Sequence, residues 1–224
     1  TGTPVKLDDL VEMHTEKIHL LIVDPSLGDY HHIHPVKTET VGEYAFDFTP
    51  RRSGEYFIFA DLVPVKSNAQ EYSISKIAVP GDVKPLEKQQ QRSITVDGYR
   101  FDLEFENPNL VQGESTKAVV KVTGPDGKPF DKLEPVMGAY AHLVGFSENR
   151  DFVAHIHPQG KEPETKEERG GPELSFYMNI TQPGYHLLYS QVQINGKDVF
   201  APFGIEVAPR EIPNTVAGIF EEVD

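Results

Sequence analysis

A set of three histidines occurs twice in this chain: His19, His32 and His34 before Pro35, then His142, His155 and His157 before Pro158, each 123 residues after its counterpart. An internal duplication of this length predicts that whatever fold the first copy takes, the second takes too. Between the aligned segments HLLIVDPSLGDYHHIHP and HLVGFSENRDFVAHIHP the histidines, one leucine, one isoleucine and the proline are kept, while the turn and most apolar positions differ. Packing residues have drifted and imidazoles have not, which asks for a chemical reason.

The copies are written in short strands. Phe, Tyr, Val and Ile fall in brief runs closed by Gly, Pro, Asn and Asp, and helical periodicity is scarce. After each HIHP comes a variable loop, an alternating strand (EYAFDF, ELSFYMN), a glycine turn at Gly54 or Gly184 and an apolar strand (YFIFADLV, YHLLYSQV). The expected fold is all-β, with two tandem immunoglobulin-like (cupredoxin-like) antiparallel β-sandwich domains. Expected boundaries are 1–80 for the first copy, 81–92 for a polar linker, 93–209 for the second copy and 210–224 for a tail. The second copy opens with ITVDGYRFDLEFE and STKAVVKV, which have no counterpart in the first. The first sheet is therefore expected to be completed from upstream, from elsewhere in the molecule or from a second chain. The charged loop 159–171 reads as a solvated insertion.

Strand geometry brings each trio together. If Val23 faces Tyr30 across the six residues DPSLGD, His19 falls opposite His34. His32 and His34 are two apart and share a face, and cross-strand neighbours stand about 4.5–5.5 Å apart. Pairing Phe146 with Val153 across SENRDF likewise sets His142 opposite His157. Three neutral imidazoles suit zinc, copper or nickel and leave a position open, so one three-His metal site is expected per repeat. His14 and Met137 occupy matching positions five residues before the leading histidine, and each is a candidate fourth ligand. A thioether favours Cu(I), so copper is the expected metal and zinc the alternative. His31 and His186 are expected on the opposite face in structural roles. Asp61 and Gln191 match each other after the glycine-turn strand, where solvation is expected ahead of a role in orienting a histidine.

The net charge of −14 argues against nucleic acid and anionic membranes as partners and suits cations. The chain has no cysteine, which excludes cysteine-ligated zinc, a nucleophilic thiol and a blue-copper site. No apolar stretch is long enough for a bilayer span, and a start at Thr1 suggests a processed terminus. Neither repeat offers an obvious Glu or Asp general base beside its trio, although the fold could bring one there, so the expectation is a non-enzymatic metal-binding protein. A three-His metal hydrolase and a structural or adhesion sandwich with packing or pH-responsive histidines are the alternatives.

The segments HTEKIHLLIVDPSLGDYHHIHP and PVMGAYAHLVGFSENRDFVAHIHP resemble bacterial extracytoplasmic proteins with HxHP-containing immunoglobulin-like modules, related to YtkA-like and heavy-metal-associated domains. That resemblance covers both repeats through His19, His32, His34, His142, His155 and His157. It implies a β-sandwich in the periplasm or on the cell surface and a part in copper or heavy-metal buffering, delivery or sensing. A metal-delivery or membrane-protein partner and an oligomeric state are compatible with it. The strands missing ahead of the first repeat depart from the pattern.

Overall fold

The computed structural model describes residues 3–211, which fold into antiparallel sheets. In the first copy β1 (His19–Val23), β2 (Tyr30–Ile33), β5 (Gly54–Leu62) and β6 (Glu71–Val79) form a sheet ordered β2-β1-β5-β6. A two-stranded ribbon, β3 (Val36–Lys37) with β4 (Tyr44–Ala45), stands apart from it. In the second copy β10 (His142–Ser147), β11 (Val153–Ile156), β13 (Gly184–Ile194) and β14 (Lys197–Val207) repeat the same order as β11-β10-β13-β14. The remaining strands, β7 (Ser93–Val96), β8 (Tyr99–Phe105), β9 (Ser115–Thr123) and β12 (Glu173–Asn179), build a further sheet ordered β12-β9-β8-β7. The chain is thus an all-β assembly of antiparallel sandwiches, as the strand pattern predicts.

β1 and β10 are buried at every residue, so both faces of each must be covered. On one face Leu21, Val23, Tyr30 and Phe59 of the first copy meet Val144, Phe146, Val153 and Tyr189 of the second in a single apolar core. The two equivalent sheets therefore pack face to face, copy against copy. A fully buried side chain of this size contributes about 1.5–3 kcal/mol, which makes the shared layer a main element of stability. Hydrogen bonds pin its rim: Tyr189 Oη donates to the Leu27 carbonyl at 2.6 Å, and the His155 amide donates to Tyr72 Oη at 3.2 Å.

The outer faces differ. In the second copy Leu143, Leu188 and Phe203 pack under Phe101, Val120 and Phe176 of the β12-β9-β8-β7 sheet. In the first copy Leu20, Ile22, Tyr56 and Ile58 are covered by Leu7, Leu10 and the stretch bearing Tyr44, Phe46 and Phe48. The expected strand EYAFDF is a strand only at Tyr44–Ala45, although its aromatic side chains still point inward. Its counterpart β12 pairs with β9 along its whole length. Among the described residues the first copy has no strand equivalent to β9, and unpaired backbone does not hold a strand.

The hairpin between β1 and β2 is locked from within. Asp29, buried in the turn, accepts from the Arg51 amide at 2.7 Å, from Arg51 Nε at 2.7 Å and from Tyr56 Oη at 2.6 Å. Residues 81–92 begin beside the first copy, where Val83 bridges Ser53, and end on β14, where the Gln91 amide donates to the Gly204 carbonyl; between them Lys88 pairs with Glu148. Of the tail, residues 212–224 lie outside the described residues. Among the described residues no helix is long and apolar enough to cross a membrane.

Candidate metal centre

Both hairpins adopt the register that their turns predict, with Val23 opposite Tyr30 and Phe146 opposite Val153. Side chains alternate, so His19, Leu21 and Val23 project to the same face as Phe59, and His142, Val144 and Phe146 to the same face as Tyr189. That common face is the layer between the copies. All six motif histidines consequently gather at one end of the shared core, and rings of different copies become neighbours. Centroids lie 5.2 Å apart for His19 and His155, 5.0 Å for His32 and His155, and 5.5 Å for His32 and His142.

This changes the expectation of one closed trio per repeat. His142, His155 and His157 do form a group whose ligand nitrogens lie within 4.8 Å of one another. The other such group among the described residues is His19, His32 and His155, so a ring of the second copy completes the set begun by the first. His34 lies outside both groups, its Nε2 standing 3.1 Å from His19 Nδ1 and its ring centroid 5.4 Å from that of His32. The cause is the docking of the sheets, which brings His155 over His19 and His32.

Four rings have one nitrogen committed outward. His19 Nε2 donates to the Met13 carbonyl and His142 Nε2 to the Val136 carbonyl, each at 3.1 Å. A carbonyl only accepts, so each Nε2 carries the proton and each Nδ1 of the neutral ring is an unprotonated acceptor. His32 Nδ1 faces Gln191 Oε1 at 3.0 Å, and the Gln191 amide group donates to Asp198, which fixes that oxygen as the acceptor. His155 Nδ1 donates to Asp61 Oδ2 at 2.7 Å. The Nε2 atoms of His32 and His155 are therefore unprotonated as well. The result is two pairs of opposed lone pairs, His19 Nδ1 to His32 Nε2 at 3.1 Å and His142 Nδ1 to His155 Nε2 at 3.2 Å. Such pairs repel, and a cation bound by both nitrogens of a pair relieves the repulsion there. Two nitrogens bound to one zinc ion at about 2.0–2.1 Å in a tetrahedral array stand about 3.3 Å apart.

A proton is a poor candidate for that cation. Burial lowers the pKa of His14, His19, His32, His34, His155 and His157, and brings that of His142 down to about 3. Neighbouring rings lower several of them further. Burial acts the opposite way on Asp61, whose pKa is pushed up to about 6. A cavity of about 360 Å³, lined by Lys17, His19, Asp61, Gln70, His155 and His157 among others, connects the cluster to the surface.

The remaining candidates fall into place around this centre. His14 and Met137 each occupy a tight turn, with φ of 48° and 49°, inside the bridges Met13↔Glu16 and Val136↔Ala139. These turns supply the bend that a five-residue spacing demands. His14 stacks at 3.5 Å on His157, so it lies over the trio of the other copy rather than its own. Met137 is half-buried at the matching turn position. The expectation that Asp61 and Gln191 are solvated is overturned: their exposures are 3% and 1%, and each holds a histidine of the opposite copy. Their pairing positions opposite His19 and His142 were the signal that could have found them. His31 faces away and pairs with Asp29 at 2.9 Å, while His186 is buried with its Nδ1 on the Gly184 carbonyl.

Residues 94–209 match a family described as a domain of unknown function, DUF8832. No curated protein matches the chain. Among solved structures it is similar to FdeC, an Escherichia coli adhesin, at 13% identity and a TM-score of 0.31, over 86% of this chain. The match spans about half, 54%, of that adhesin. Domains 4 and 5 of the S-layer protein SbsC match at 10% identity and a TM-score of 0.25, over 70% of this chain and 66% of that one. A β-glycosidase from Bacteroides vulgatus matches at 12% identity and a TM-score of 0.28, over 86% of this chain and 21% of the enzyme.

Proposed function

We propose that this chain, which belongs to the DUF8832 family, is a metal-binding protein whose two copies together build a transition-metal centre from imidazoles. The observation that carries the reading is the pair of opposed lone pairs at 3.1 and 3.2 Å, each fixed by an outward hydrogen bond on the other ring nitrogen. Ligating histidines characteristically have their second nitrogen held this way by a carbonyl or carboxylate. Copper is the metal of first choice, because nitrogen sites bind Cu²⁺ most tightly in the divalent series, and zinc is the alternative. The resemblance of the HIHP segments supports a setting outside the cytoplasm, and the role proposed there is to buffer, deliver or sense the metal.

The reading is of binding rather than catalysis. Asp61, the carboxylate nearest the rings, accepts from His155 Nδ1 and from Gln70 Nε2, which stands 3.0 and 2.9 Å from its two oxygens. It is thereby engaged as an orienting group and not free to take a proton from water. A purely structural role for the histidines is disfavoured by the same opposed nitrogens, since packing alone gains nothing from buried lone pairs that face each other.

The test is a competition titration of the purified chain with Cu²⁺ and Zn²⁺ against a chelator of known affinity. His32→Ala combined with His155→Ala should abolish tight binding of both ions while the β-sheet circular dichroism persists. Binding by the native chain no tighter than by a scrambled histidine-rich peptide would remove the proposal.

A further inference from the structure

We infer that the cluster seats one ion per chain rather than two, in either of two overlapping ligand sets that share His155. This rests on the metal-binding reading above and adds to it how many ions the duplicated motif holds and how they are exchanged.

Two three-histidine motifs suggest two sites, and the structure does contain two sets of converging nitrogens. They are His19, His32 and His155, and His142, His155 and His157. Both sets use His155. That ring has one nitrogen to give, because its Nδ1 is spent on Asp61 at 2.7 Å. A nitrogen lone pair binds one ion at a time, so filling one set leaves the other with two ligands. A second cation would also enter close beside the first, among buried neutral rings. The duplication therefore yields one centre with two seats.

The seats open on the same route. His19, His155 and His157 line the cavity, so each set presents at least one ligand to an ion arriving from solvent. An ion can pass between seats by keeping its bond to His155 while exchanging His142 and His157 for His19 and His32. No bond but metal–nitrogen bonds is made or broken, and no redox partner is required. The first seat also ties the copies together, because its ligands come from both.

The experiment counts ions on the full chain by native mass spectrometry, titrating with Zn²⁺ in the presence of a weak chelator that strips surface carboxylates. One Zn²⁺ per chain is expected, with no second tight ion at several equivalents. His19→Ala and His142→Ala each remove one seat and should each still bind one ion, with affinity lowered. His155→Ala removes a ligand from both and should lower affinity more than either. Two tight ions on the native chain would overturn the inference, as would complete loss of binding in His19→Ala or His142→Ala. Absence of any tight ion on the folded native chain would instead fail the proposed function itself. Circular dichroism of each variant checks that a loss is not one of fold, and His155→Gln repeats the test with less change in volume if His155→Ala does not fold.

Discussion

At the scale of single residues, the centre depends on groups that never face the ion. Asp61 and Gln191 hold His155 and His32 in the tautomer that turns Nε2 inward. Replacing an orienting partner of this kind typically weakens metal affinity about 10–100-fold. Asp61→Ala should therefore lower Cu²⁺ and Zn²⁺ affinity by about that factor in a competition titration, with strand content unchanged. The histidines also predict the acid response of the metal-free chain. Burial lowers their folded-state pKa values, so below the unfolded value of about 6.5 the unfolded chain takes up protons that the folded chain refuses. Stability is full above that pH and is lost as pH falls from it towards the lowered folded values. Asp61, raised to about 6, acts in the reverse sense, but it is one group against several rings. Chemical-denaturation midpoints should accordingly drop between pH 7 and 5, where an ordinary acidic protein changes little; a flat profile there would contradict the buried neutral cluster. The register of each hairpin was legible in the sequence, because period-two alternation and a six-residue turn fix it, but only the second copy's trio forms a closed group. The orienting pair was misread, since a polar residue near a strand end looks solvated until the opposing sheet is known.

At the scale of elements, two short turns set the mouth of the site. His14–Thr15 and Met137–Gly138 each place two consecutive residues at positive φ, the backbone pattern of a tight hairpin turn. They also approach each other: a Cβ on Gly138 would stand 3.3 Å from Thr15 Cγ2 and 3.4 Å from His14 Cα. The Gly138 φ of 77° suits glycine, and an L-residue in that region costs about 1–2 kcal/mol. Gly138→Ala should therefore reduce stability by more than that amount in urea titration, whereas Gly127→Ala, also at positive φ but with nothing within 4 Å, should register the backbone cost alone. The strand pattern foretold β12 and its counterpart alike, yet only β12 forms along its full length. Alternation records which side chains point inward; it does not record whether a neighbouring strand exists to take the backbone hydrogen bonds.

At the scale of the whole molecule, the copies share a core and should unfold together. Phe146 lies fully buried between Tyr30 and Phe59 of the other copy. Truncating such a residue costs about 3–5 kcal/mol. Phe146→Ala should lower the single calorimetric transition of the whole chain rather than split it into two. The sequence did hint at this docking, because HLLIV and HLVGF are apolar at positions that would face both ways, the mark of strands covered on both sides. What it could not supply was the partner, since packing of sheet on sheet is non-local and leaves no spacing to read. A ligand set drawn from both copies adds a metal-dependent clamp to this interface, and bound metal should raise the melting temperature in proportion to its affinity and free concentration. The most direct measurement is anomalous diffraction from crystals grown with Cu²⁺ or Zn²⁺. The expected result is a peak about 2 Å from His155 Nε2 and from imidazoles of one of the two sets; rings hydrogen-bonded only to water or to one another, with no metal peak among them, would contradict the account.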